Sequence, residues 1–284
     1  MRFGIGLPNQ VRDLDPTVIP TYAARAEQAG FETLGTVGRF AYPSVVDTVA
    51  LAAAAAVTSR IELISNVLLA PTWPGPLLAK ELAGIDGISG GRLTIGLGLG
   101  GREDDFVVDG YPMKGLGKRF DADLETYRDI WSGKPVGGGI NPAVPAGTRQ
   151  VPILFGGMAK QTYARMAKWG VGYIGGSVPA SMVAPAFQSA REAWTEAGRE
   201  GAPRLVAIAY FAVGDGEQGR KNIYDYYSFI NHDVATMISN NGAVGPDEIA
   251  NTIKSFAEIG ADDLLFNPMT DDPADIERLA ELLP

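Results

Sequence analysis

The chain has 284 residues, 46% of them hydrophobic and 9% aromatic, enough apolar material for a large packed core and far from the composition of a disordered polypeptide. Its formal net charge is −9 with scattered basic residues, so a small-molecule substrate is expected rather than nucleic acid or an anionic membrane surface. It has no cysteine and one histidine, His232, which excludes disulfides, thiolate sites and multi-histidine metal centres; no metal is expected, and a serine-hydrolase triad would depend on that single imidazole.

Met1 leads directly into the strand-like "RFGIGL" with no basic leader, and nothing reaches about 18 uninterrupted apolar residues, so a cytoplasmic protein is expected. From there β-like runs alternate with helical patterns: "RFGIGLP" then "DPTVIPTYAARAEQAG"; "TLGTV" then "SVVDTVALAAAAAVTSR"; "IELISNVLLAP" then "PGPLLAKELAGIDGISGG"; "RLTIGLGLG" then "REDDF" and "GKRFDADLETYRDIWSG". Helices start at Asp, Pro or Ser and stop at Gly30, Gly90 or Gly170. Residues 133 to 150 break the alternation with glycine and proline and read as a surface excursion or lid. "VPILFGG", "VGYIGG", "PRLVAIAYFAV" and "ADDLLFNP" follow, each with its helix; "EQGRKNIYDYYSFINHDVATMISNN" reads as one long helix, and "GPDEIANTIKSFAEIG" as an extra one before the last strand.

Strands apolar on both faces imply a parallel sheet covered by helices, and eight βα units in a row predict a single-domain (β/α)8 TIM barrel over 1–284, with a doubly wound open sheet as the weaker reading. The site then belongs at the C-terminal ends of the strands. The helix "DTVALAAAAAVTSR" lacks a polar outer stripe, which predicts packing against a second subunit as a homodimer or higher homo-oligomer.

Gly96, Gly98 and Gly100 occupy alternate positions of a strand, leaving one face bare. "GLGLGG" also matches G-x-G-x-x-G, but three βα units precede it, and Asp121 and Asp123, which would have to end the next strand, fall in a helical pattern, which argues against a dinucleotide fingerprint. Two explanations remain at this point: tight packing inside a barrel, or a flat ligand lying across the strand end. Among ionisable residues, Arg102, Glu103, Asp104 and Asp105 fit the first turn of a helix, with Arg102 and Asp104 also placed to touch a ligand. His232 reads as a partly buried, satisfied histidine or as a pocket residue together with Tyr226, Tyr227 and Phe229. Lys80 and Lys114 are the candidates for a Schiff-base aldolase, although Lys80, mid-helix beside Glu81, reads more simply as part of a structural ion pair.

"PGPLLAKELAGIDGISGGRLTIGLGLGGREDDF", "KRFDADLETYRDIWSG", "VPILFGGMAKQTYARMAKWGVGYIGG" and "VGPDEIANTIKSFAEIGADDLLF" together resemble the bacterial luciferase-like flavin and deazaflavin oxidoreductases over nearly the whole chain. The resemblance implies a barrel that holds FMN, or alternatively coenzyme F-420, at its mouth, and assigns the glycines the task of leaving room for the ring and ribityl chain. It implies a non-prolyl cis peptide at Asn66-Val67 against the ring, cofactor contacts at Gly38, Gly98, Gly100 and Gly101, a phosphate loop at Gly156, Gly157, Met158 and Ala159, and a neighbouring loop at Gly175, Gly176 and Ser177. A glycine loop at a helix start binds anions without a basic side chain, which suits an acidic protein.

Many deazaflavin-dependent relatives carry Asp-His after the second strand where this chain has Gly38-Arg39, so FMN is the first expectation. Arg39 and Asn66 are then the catalytic candidates, Arg39 either facing the polar edge of the flavin or forming an ordinary salt bridge. Asn9, Trp73, Arg102, Asp104, Tyr227 and His232 are the expected substrate-pocket residues. The implied activity is reduced-flavin monooxygenation, with a flavin reductase as supplying partner, or flavin-mediated reduction; the alternatives are F-420-dependent hydride transfer and a non-catalytic flavin-binding barrel.

Overall fold

Apolar strands too short to cover themselves pair in parallel and take their helices as outer cover in the computed structural model, which describes residues 1–108 and 110–284. The strands are β1 (Arg2–Gly6), β2 (Thr33–Thr36), β3 (Glu62–Ser65), β4 (Leu68–Leu69), β5 (Leu93–Gly98), β6 (Ile153–Gly156), β7 (Gly172–Ile174), β8 (Arg204–Ala212), β9 (Ala243–Val244) and β10 (Asp263–Pro268). The helices are α1 (Val18–Gln28), α2 (Asp47–Val57), α3 (Gly75–Ser89), α4 (Leu116–Trp131), α5 (Lys160–Trp169), α6 (Ala180–Glu196), α7 (Gly216–Tyr227), α8 (His232–Asn240), α9 (Gly245–Glu258) and α10 (Ala274–Ala280). β1, β2, β3, β5, β6, β7, β8 and β10 pair in that order, and β10 returns to β1, all in parallel. The expected (β/α)8 barrel is closed, and the open-sheet alternative falls.

The barrel interior is layered. At its N-terminal end Arg204 forms a two-pronged pair with Glu62 at 2.7 and 2.9 Å and also reaches Asp263 at 2.9 Å, while Thr94 donates to Glu62 at 2.7 Å. Above this ionic plug, Ile64, Leu154, Ile174, Val206, Ile208 and Leu265 form an aliphatic layer with Val67 packed on it. Burial alone would push the Glu62 carboxyl upward, but Arg204, Thr94 and Arg2 outweigh it and hold its pKa below the usual value.

Two expectations about connections are corrected and one is narrowed. Residues 133 to 150 link a helix end to a strand start, so they lie at the N-terminal end of the barrel, where Arg149 clamps Asp86 at 2.7 and 2.8 Å and the Leu93 carbonyl at 2.9 Å. This segment is the irregular surface excursion expected after the fourth helix, placed at the end away from the mouth. The long helix after β8 is broken: Asn231 caps α8 by accepting the Val234 N–H at 2.8 Å, and the chain between α7 and α8 carries Phe229. "REDDF" forms only a short 3-10 turn, Glu103–Asp105, instead of a helical first turn.

Candidate functional site

The bare face of β5 is filled by the protein itself. β3 pairs Ile64 with Thr94, and β4 pairs Leu68 with Leu97, so four steps along one strand match three along the other. This is a bulge of one residue. It carries the cis Asn66-Val67 peptide that the resemblance implied, and turns Val67 into the barrel. A Cβ on Gly98 would stand 2.7 Å from Val67 Cγ2, one on Gly156 2.9 Å from Val67 Cγ1, and one on Gly96 would collide with the Ser65 carbonyl oxygen. Gly96, Gly98 and Gly156 therefore make room for Val67 and its bulge, so packing inside the barrel accounts for their missing side chains.

The remaining glycines divide by the same criterion. Gly38 has its free space taken by Asp47, whose Oδ2 would be 2.6 Å from a Cβ, and Gly175 by Val183 of α6 at 2.9 Å. Gly100 needs its left-handed conformation (φ 73°) to turn the chain over Leu69 and Phe106. Gly101 and Gly176 face open space, and Gly157, with φ 126°, is exposed beside Thr162. Gly101, Gly157 and Gly176 follow three adjacent strands, β5, β6 and β7. Met158 and Ala159 are exposed at the start of α5, where first-turn N–H groups lack intrahelical acceptors, and Ser177 is half-buried beyond Gly176.

Asn66 is buried and donates from Nδ2 to Asn267 Oδ1 at 3.1 Å, leaving Asn66 Oδ1 and Asn267 Nδ2 without partners among the described residues. Asn9, fully buried, donates to the Val45 carbonyl at 2.8 Å. Gln10 donates to the Pro268 carbonyl. Asn267 and Gln10 were missed from the sequence, where a polar residue near a strand end looks like any loop residue.

Arg39 is engaged rather than free. It pairs with Asp104 and, at 3.5 Å, with Asp105, and its guanidinium lies 4.4 Å from the centre of the Phe229 ring. Its side chain is only 4% exposed, and Asp105, fully buried, also accepts the Ala41 N–H at 2.8 Å. Of the two roles considered for Arg39, the geometry is that of a buried salt bridge. Arg102 approaches the same Phe229 ring at 4.7 Å, and Tyr226 and Tyr227 at 5.2 and 5.4 Å, with one guanidinium nitrogen buried and unpartnered. Tyr227 shares a hydrogen bond of 3.0 Å with Tyr210. Phe229 thus covers two cations from a chain break that helical periodicity did not reveal.

Arg39, Trp73 and Gly38 line a cavity of about 440 Å³ between the β2–α2 loop and the start of α3, together with Asp47, Ser44, Leu68, Leu69 and Leu77. A larger groove, about 800 Å³, runs between α5 and α6 on the outer surface and touches the mouth only through Met158 and Lys160. Burial raises the Asp47 carboxyl to about 6. His232 stands exposed at the start of α8 with Nδ1 3.0 Å from the Tyr224 hydroxyl, outside that cavity, so it is not the partly buried histidine expected. Lys80 and Lys114 are exposed, Lys80 on the outside of α3, which leaves the aldolase reading without a buried amine. Among the described residues no group of His, Asp or Glu is arranged to hold a metal, and no helix is long and apolar enough to cross a membrane.

An uncharacterised protein of Mycobacterium tuberculosis is 32% identical over 177 residues, covering 59% of this chain and 62% of the relative, so the match spans under two thirds of that relative's length. Among solved structures, an F-420-dependent secondary alcohol dehydrogenase in complex with an F-420-acetone adduct superposes with a TM-score of 0.79 at 16% identity over 100% of this chain and 99% of the other. The oxygenating constituent of 3,6-diketocamphane monooxygenase from Pseudomonas putida, a type II Baeyer-Villiger monooxygenase in complex with FMN, does so at 0.74 and 16% identity over 99% and 96%. At these identities the superpositions speak for the fold alone. The family model described as luciferase-like monooxygenase matches residues 1–258, and the chain belongs to that family.

Proposed function

We propose that the mouth of the barrel binds a flavin-type cofactor and that the protein is an oxidoreductase acting on a small organic molecule. The observation that carries this reading is the run of bare backbone at Gly101, Gly157 and Gly176, after three neighbouring strands and around the shelf made by Val67. Flat, side-chain-free walls suit a planar tricyclic ring, and the exposed start of α5 at Met158 and Ala159 suits its phosphate. The residues fit such a group also in their unused polarity: Asn66 Oδ1 and one Arg102 nitrogen are buried without partners. Gly101, Gly176, Ser177, Asn66 and Val67 would hold the cofactor, which supplies two-electron redox chemistry when bound. Around it the chain excludes water and orients the substrate, with Trp73 and Asp47 on the wall nearest β2.

FMN is the first choice, because Gly38-Arg39 stands where many deazaflavin-dependent relatives have Asp-His. F-420 is the second reading, since an F-420-dependent dehydrogenase shares this fold, as the FMN-bound monooxygenase does. Monooxygenation with reduced flavin would call on a separate flavin reductase. Assembly as a homodimer is supported by exposed apolar side chains on α2 and α3, Val49, Val57 and Ile88. Fluorescence titration of the purified protein with FMN and with F-420 tests the proposal: tight binding of one selects it, and binding of neither overturns the reading. Binding without any turnover would instead favour the non-catalytic barrel.

A further inference from the structure

The cavity between the β2–α2 loop and α3 has an apolar lining interrupted by very few polar groups. Val46, Leu68, Leu69, Trp73, Pro74 and Leu77 are among its apolar wall residues, and Arg39, Ser44, Asp47 and Thr72 are its polar ones. Its volume, about 440 Å³, lies in the range of pockets that enclose small organic molecules, roughly 300–1,000 Å³. Two polar groups in it have no protein partner among the described residues: Asp47 Oδ1, on a residue 6% exposed, and the Ser44 hydroxyl. The missing side chain at Gly38 is what lets the carboxylate sit there, since any Cβ at that position would collide with Asp47 Oδ2.

Thr36 and the Asp47 N–H act on the carboxylate, but they leave Oδ1 without a donor, and a buried acceptor left so is costly. The charged and titratable groups around it do not supply one. Arg39, from the β2–α2 loop, is committed to Asp104 and Asp105, and Tyr226, from α7, feels the Asp47 charge through Coulombic interaction and makes no hydrogen bond to it. The portions of β4 and α3 that line the cavity bring no charge to it.

We propose that this cavity is the substrate subsite and takes a neutral, largely apolar alcohol whose hydroxyl donates to Asp47, with Ser44 as the second polar contact. The assignment rests on the mouth being the reaction site and adds the chemical class of the substrate. Above the pH at which Asp47 ionises, the carboxylate selects a hydroxyl over a carbonyl; below it, the protonated acid donates equally well to a carbonyl oxygen. Burial lifts that transition to about 6.

The matched pair 2-octanol and 2-octanone separates these states by calorimetric titration of the purified full chain, with and without FMN. At pH 8 the alcohol is expected to bind at least tenfold more tightly than the ketone, and at pH 5 the preference is expected to vanish. Asp47→Asn, which both donates and accepts at every pH, should abolish the pH dependence. Leu77→Trp, at a half-exposed wall position, should block both ligands without lowering the melting temperature. Equal affinity for alcohol and ketone at both pH values, octanol binding that survives Leu77→Trp, or no binding of 2-octanol to the wild type would each overturn the proposal. Because the titration also reads the protein without cofactor, failure to bind FMN and failure to bind the alcohol are separate results.

Discussion

Val67 Cγ2 lies 2.7 Å from the place a Cβ on Gly98 would occupy, so the glycine strand and the bulge opposite it form one steric unit. Gly98→Ala is expected to cost about 1–3 kcal/mol by overpacking, measured by urea denaturation. Val67→Ala should recover most of that loss in the double variant. Gly96→Ala should not be rescued by the same change, because its obstacle is the Ser65 carbonyl, which is backbone. Additive effects of Gly98→Ala and Val67→Ala would show that the two residues do not share the space.

That unit also marks where the sequence stops being informative. Alternation alone places Gly96 and Gly98 on the inner face of β5, because Ile95 and Leu97 must face the helices, and the structure agrees. What fills the gap is decided by an extra residue on β3, which no local pattern announces, since "ISNVLL" reads as continuous strand. Asn231 hides its role likewise: its cap breaks the helix after β8, but the apolar spacing runs on across it. Connection geometry separates the two readings of residues 133 to 150, since a segment from helix to strand in a βα barrel lies at the end away from the mouth, which favours the surface excursion over the lid.

The pair of Arg39 and Asp105 predicts a large stability effect at a position that also looks functional. Arg39 is 4% exposed and Asp105 fully buried, so Arg39→Met strands a buried carboxylate and should cost about 3–5 kcal/mol. The double change Arg39→Met with Asp105→Asn should regain a substantial part of it, read as the midpoint shift in urea. Arg39→Lys is expected to fall between, because the ammonium keeps the charge but loses the fork and its stacking on Phe229.

Glu27 supplies an acid-sensitive tie between α1 and the start of β3. Burial opposes its ionisation, but the N–H groups of Ile61, Arg60 and Ser59, at 2.6 to 3.1 Å, with the Ser59 hydroxyl at 3.2 Å, outweigh it and lower the carboxyl from 4.5 to about 2. The resulting stability is fully present above pH 4.5 and is lost as pH falls toward 2. Discounted for the solvent near this partly exposed group, Glu27→Gln should cost about 1–2 kcal/mol at pH 7 and progressively less below pH 4. A cost that is the same at pH 7 and pH 3 would remove the carboxylate from that role.

Asp47 has the opposite sign. Its carboxyl is raised from 3.8 to about 6, so the protonated form stabilises the fold below pH 4 and that contribution disappears as pH rises through 6. At about 1.4 kcal/mol per pK unit, up to about 3 kcal/mol is at stake. Asp47→Asn should therefore gain on the wild type between pH 4 and pH 8, as seen in paired thermal melts. A site that keeps an ionisable group at such a cost fits a role in binding better than one in stability.

Gly101 and Gly98 give the sharpest contrast between a glycine the ligand would need and one the fold needs. A side chain at Gly101 meets nothing within 4 Å, and the residue is exposed, so Gly101→Val should change the unfolding free energy by no more than about 0.5 kcal/mol. If the cofactor lies against that backbone, the same substitution should weaken FMN binding at least tenfold in the fluorescence titration. Loss of stability with affinity unchanged would reverse the two assignments, because the open space would then belong to packing within the chain and the bare loops after β5, β6 and β7 would lose their reason as a binding surface.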